Sequence, residues 1–113
     1  MNPLVVFQII AALATTATGL LAFLKPSAAY GFIGLTPGDV RGVSEIRAVF
    51  GGLFIGLGVA PLFLGPPAYH MLGVGYLAIA AARLVSICFD KSYAQSNWIS
   101  LGIEILFGAL LVV

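Results

Sequence analysis

Cysteine and charge are nearly missing from this chain. A single cysteine, Cys88, excludes an internal disulfide and any C-x-x-C metal site, and a small buried hydrophobe is the simplest role for it. Lys and Arg together number five and Asp and Glu four among 113 residues, with a net charge of +1, so no basic stripe is available for nucleic acid. The lone histidine, His70, follows "PPAY" with no second ligand at metal spacing; it reads as a boundary residue, and no metal site is expected. Also missing are a glycine-rich loop joining a strand to a helix, a nucleophile elbow and an H-E-x-x-H pair. Nothing implies a cofactor.

What fills the chain is apolar. At 61% hydrophobic residues and a mean hydropathy of +1.13, the composition is that of an integral membrane protein. The stretches Pro3 to Leu24, Ser44 to Leu64 and Ala68 to Phe89, with a fourth from Ala94 to Val113, each approach the roughly 20 residues needed to cross a bilayer core as a helix. No Lys or Arg precedes the first stretch and its apolar run is long for a signal peptide, so it is expected to be retained. Lys25 and Pro26 close the first span, Pro37 and Gly38 mark a turn before the second, and Gly65-Pro66-Pro67 joins the second to the third. Between the first two, "SAAYGFIGL" is too short to span and reads as an interfacial helix or a shallow re-entrant piece. Ser96 or Asn97 is expected to cap the fourth helix. Short links make neighbours antiparallel. The expected fold is an all-α membrane protein, one antiparallel four-transmembrane-helix bundle over residues 1–113.

Lys25, Arg41 and Lys91 fall in the first and third connections. The positive-inside rule therefore places these loops in the cytoplasm and both termini outside, in an inner membrane.

The remaining charges are the candidates for function. Glu45 lies four residues after Arg41 on one helix face, which predicts a boundary pair, whereas Arg47 has no local partner. Gly51 and Gly58 share the face of Arg47, and Gly52 and Gly56 that of Glu45; the Gly52-x-x-x-Gly56 pair is expected to lie against another helix, within the chain or across a homodimer. Tyr69, Tyr76, Arg83 and Asp90 recur every seven residues in one stripe, and Tyr93, Asn97, Ser100, Glu104 and Gly108 form another. Gln8, Thr15 and Gly19 give the first helix a polar or small side. From helix rise, Arg47 lies roughly 5 Å, Arg83 roughly 9 Å and Glu104 roughly 12 Å inside the same membrane half. A charge at a helix centre costs about 2.5 to 3.5 kcal/mol on insertion scales, so Glu104 is expected to pair with Arg83, and Arg47 with Asp90 or a backbone carbonyl.

The segments "SEIRAVFGGLFIGLG", "AIAAARLVSICFD" and "GIEILFGALL" resemble a bacterial family of small four-helix membrane proteins defined as a domain of unknown function. The resemblance covers nearly the whole chain and centres on Glu-x-Arg-Ala-x-aromatic-Gly-Gly, carried by Glu45, Arg47, Ala48, Phe50, Gly51 and Gly52, together with Arg83. It implies a four-helix fold in the inner membrane and no established activity. Tyrosine is commoner in that pattern where Phe50 stands, which implies that a hydroxyl is not essential there.

Glu45, Arg47, Tyr76, Arg83, Asp90, Asn97 and Glu104 are thus candidate ligand-binding residues in an Arg/carboxylate pocket for a lipid, quinone, terpenoid or similar amphiphile. The same groups could instead be fixed pairs that only orient the helices. An enzyme performing acid/base isomerisation, cyclisation or hydrolysis on a lipophilic substrate would use Glu104 as its catalytic group. A dimeric small-ion transporter subunit is a third reading.

Overall fold

The computed structural model describes residues 2–113. Five helices account for nearly all of them: α1 (Pro3–Leu24), α2 (Pro26–Ile33), α3 (Val40–Leu64), α4 (Pro66–Phe89) and α5 (Gln95–Val112), with no strand among the described residues. The four long ones are apolar enough to cross a membrane, and only 22% of each most apolar window is buried inside the chain. The exposed remainder is itself apolar, so lipid rather than water is its matching solvent.

Local chemistry sets the ends. The Asn2 side chain accepts from the Leu4 N–H at 2.9 Å and Pro3 occupies the first turn of α1, where its missing donor costs nothing. Lys25 leaves the helical region at φ −140°, and Pro26 opens α2. Gly34 closes α2 in the left-handed region at φ 80°, its N–H reaching the Tyr30 carbonyl at 2.9 Å. α3 starts at Val40 rather than Ser44 because Asp39 caps it, accepting from the Gly42 N–H at 3.2 Å. The start of α5 differs from expectation too. Neither Ser96 nor Asn97 caps it: Ala94 holds the cap position, and Asn97 donates back to the Ser92 carbonyl and hydroxyl at 3.1 Å, bracing the α4–α5 loop.

Within α3, residues Ile46–Leu53 form a π-helix, which hydropathy periodicity gives no means of anticipating. Closing i→i+5 rather than i→i+4 hydrogen bonds shifts the angular phase between the faces before and after it. Pro61 is buried in the final turns of the same helix.

Packing divides the bundle into two pairs, α1 with α3 and α4 with α5, each sealed by glycine. A Cβ on Gly19 would sit 2.8 Å from the Gly51 carbonyl oxygen, and one on Gly58 would sit 2.7 Å from that of Ala12; in the other pair a Cβ on Gly73 would meet Leu111 at 2.8 Å. Side chains at these positions would force the backbones apart. The pairs share a core only toward the end carrying Pro3, Gly65 and Val112, where Ala11, Ala12, Leu72, Tyr76 and Leu111 pack together. At the other end each pair keeps its own core: Ala22, Ala29 and Ile46 under α2, and Ala80, Ile87 and Leu101 between α4 and α5. The bundle is flattened, 45 × 32 × 17 Å, and parted at that end.

Two expectations about small residues are corrected. Gly52 and Gly56 do not face a helix of this chain: both are exposed, and a Cβ on Gly56 would meet nothing within 4 Å. The row that α1 needs for close approach is Gly51 and Gly58, and its neighbour around the helix points away. Cys88 is exposed on an outward face of α4 rather than buried.

Candidate functional site

Where the pairs part, α4 and α5 present an ion pair. Arg83 donates from Nε to Glu104 Oε1 at 2.8 Å and from Nη2 to Oε2 at 2.7 Å, the two-pronged geometry that suits guanidinium to carboxylate. Its Nη1 donates to Asn97 Oδ1 at 2.7 Å. Asn97 is therefore shared between the loop and the arginine, and it ties the start of α5 to the second turn from the end of α4. The Glu104 side chain is 11% exposed, while that of Arg83 retains 29%. The carboxylate is enclosed and the guanidinium is its face toward open space.

That space is a cleft of about 420 Å³ between the two pairs. Arg83, Glu104 and Ser100 form its polar wall; Phe50, Phe54 and Ile103 are among the apolar side chains that enclose the rest. Phe32 and Ile33 of α2 add to the far side, so the short helix contributes part of the wall. The cleft runs on toward a second hollow of about 540 Å³ between α1, α2 and α5, and the two share Thr18, Phe32, Ser100 and Ile103. Volumes of several hundred Å³ suit a small molecule rather than a few waters.

Tyr76 stands at the closed end. Its hydroxyl lies 2.5 Å from Thr15 Oγ1, and because the single Thr15 proton goes to the Ala11 carbonyl at 2.8 Å, Tyr76 is the donor. The ring meets Phe107 edge-on, with centroids 5.5 Å apart. The Thr15 hydrogen bond ties α1 to α4, the Phe107 contact ties α4 to α5, and the two rings end the cleft in an aromatic wall.

The other expected site residues lie elsewhere. Glu45 is exposed and paired with Arg41, four residues before it. Arg47 donates to the Phe23 carbonyl, one of the last carbonyls of α1 that Pro26 prevents the chain from satisfying by continuing the helix. Asp90 does not meet Arg47: it is exposed at the end of α4, where it accepts from the Ser86 hydroxyl at 2.7 Å, and the cleft separates the two helix pairs that carry them. Of the seven candidates, Tyr76, Arg83 and Glu104 line the cleft, and Asn97 acts through Arg83.

The Glu-x-Arg-Ala-x-aromatic-Gly-Gly segment thereby acquires a structural account. Arg47 caps the end of α1; Gly51 lets Phe23 approach, since a Cβ there would lie 3.0 Å from the Phe23 backbone; Phe50 packs against the α2 core and also lines the cleft. Phe32, Phe54, Thr18 and Ile103 were not singled out from the sequence, and Phe50 was named only as a motif residue, because one such residue in a span is indistinguishable from lipid-facing neighbours by composition. The single available signal was the apolar character of "SAAYGFIGL", an unusual content for a loop.

No curated protein and no solved structure matches the chain. The family described as Domain of unknown function (DUF4345) matches residues 4–113, and this small membrane protein, with its four apolar spans and a cleft-facing ion pair, belongs to it.

Proposed function

We propose that the protein holds a lipophilic small molecule in the cleft, its apolar part against Phe32, Phe50, Phe54 and Ile103 and its polar head beside Arg83 and Ser100. The observation that carries this reading is a charged pair set into an apolar cavity of about 420 Å³. A pair serving only to orient helices would be best enclosed on all sides, whereas Arg83 keeps part of its guanidinium toward open space. Two or three convergent polar groups in a mostly apolar concavity are the usual composition of a ligand site. The placement of Lys25, Arg41 and Lys91 supports an orientation with this end of the bundle at the cytoplasmic face of an inner membrane and both termini outside.

The catalytic alternative has less support. Both oxygens of Glu104 already accept from Arg83, so proton transfer to a substrate would first have to break that pair. A dimer through the outward Gly52 and Gly56 face, separate from the cleft, is compatible with the binding reading.

Extraction directly from membranes into polymer-bounded discs, followed by native mass spectrometry, tests the proposal. A stoichiometric non-bulk molecule is expected on the wild type and its loss from Ile103→Trp, whose indole would project into the cleft on the wall shared with Arg83 and Ser100. Identical bulk-lipid profiles for both would remove ligand binding from consideration.

A further inference from the structure

The cleft has a charge balance that narrows its ligand, given the binding reading above. Arg83 and Glu104 are the formally charged side chains lining it, and they neutralise one another. Every other charged side chain among the described residues is placed away from it: Arg47 on the Phe23 carbonyl, Glu45 with Arg41, Asp90 on Ser86, and Lys25, Asp39 and Lys91 exposed at the loops. An anionic head entering this space would find no second cation to balance it. It would also meet the Glu104 carboxylate, and burying net charge among phenylalanines and isoleucines is heavily disfavoured.

Donors nonetheless remain. Three of the five guanidinium N–H groups of Arg83 are engaged by Glu104 and Asn97, which leaves two for a neutral acceptor. Ser100 adds a hydroxyl on the same wall. We propose that the cleft selects a neutral oxygen head group, the carbonyl of a ketone, quinone or ester or the hydroxyl of an alcohol, over a carboxylate or phosphate. The head accepts from Arg83, and the apolar tail leaves past Thr18 and Ile103 toward the hollow between α1 and α5.

Tritiated methyl palmitate, hexadecanol and palmitate, matched in chain and different in head, provide the test on the full-length protein in phosphatidylcholine nanodiscs at alkaline pH, where palmitate is ionised. Saturable binding of the ester and alcohol is expected to be roughly tenfold or more tighter than that of palmitate, equivalent to about 1.4 kcal/mol. Glu104→Gln should reverse the order, because it leaves Arg83 as an uncompensated cation facing the cleft. Wild-type protein binding palmitate as tightly as the ester overturns the inference while leaving the binding site standing, and needs no variant to fold. Failure of all three probes to bind saturably overturns both.

Discussion

The two ends of the bundle carry side chains of different size and reach opposite states. Toward Pro3 and Val112, the helix pairs close around Ala11, Leu72, Tyr76 and Leu111, and the Gln8 side chain donates to the Leu110 carbonyl at 2.9 Å across α1 and α5. At the Arg83 end the pairs stand apart, with α2 over part of the opening. Alanines and glycines at the closed end permit backbone contact; phenylalanines and an ion pair at the open end hold the helices at a distance. In lipid, where apolar burial offers no contrast between protein and solvent, such differences in side-chain size decide whether two helices meet.

The strongest way to break this contrast is at a sealed glycine. Gly58→Leu would drive a side chain into the Ala12 carbonyl and Thr16, both of them fixed parts of α1, and should cost at or above the roughly 3 kcal/mol upper range of overpacking. Unfolding in mixed micelles measures it, and a wild-type midpoint would show that the α1–α3 seam is not held by close backbone approach.

At the open end, Glu104→Gln and Arg83→Gln should each destabilise the fold by about 2 to 3 kcal/mol, below the value for a fully enclosed pair because Arg83 is partly exposed. The double substitution should restore much of that loss, since no isolated charge is left. Additive losses in the four-member cycle would mean that the two side chains act independently despite their contact.

Arg47→Met removes a hydrogen bond at the exposed end of α1 and should cost only about 1 kcal/mol. Its expected signature is local: faster amide exchange around Phe23 and Leu24, with the cleft unaltered. Exchange that rises equally at Ala80 and Leu101 would tie Arg47 to the other helix pair instead.

The smallest effect is expected from Gly56→Leu, on the same helix as Gly58 but facing outward. Its midpoint should stay within about 0.5 kcal/mol of wild type. A shift in oligomer size for this variant alone would identify the Gly52 and Gly56 face as a contact between copies; a loss of stability equal to that of Gly58→Leu would contradict the face assignment.

Much of this architecture is legible along the chain because its signals are local. Pro26, Pro37-Gly38, Gly65 and the apolar runs mark the helix limits within a few residues, since each acts on its own backbone. Arg83 and Glu104 are legible as partners because a hairpin with a short link fixes the relative depth of residues on its two arms. Arg47 is less so. Depth alone left it a choice between Asp90 and a carbonyl, and which one it reaches depends on whether α1 or α4 lies beside that face of α3. The π-helix adds a phase shift that a fixed periodicity does not follow.

The sequence by itself determined that four helices cross a membrane, that they run antiparallel, and that its few intramembrane charges lie toward one side. Hydropathy, proline and glycine govern those features, through the cost of leaving backbone or charge unsatisfied in lipid. Only the tertiary structure decided that Gly51 and Gly58 rather than Gly52 and Gly56 form the seam, that Arg47 ends at Phe23, and that Phe32, Phe50 and Ile103 come together along one cleft. A phenylalanine has nearly the same transfer energy against another helix as against an acyl chain, so its position is settled by how the surfaces fit together, a property of the assembled helices and not of any one segment.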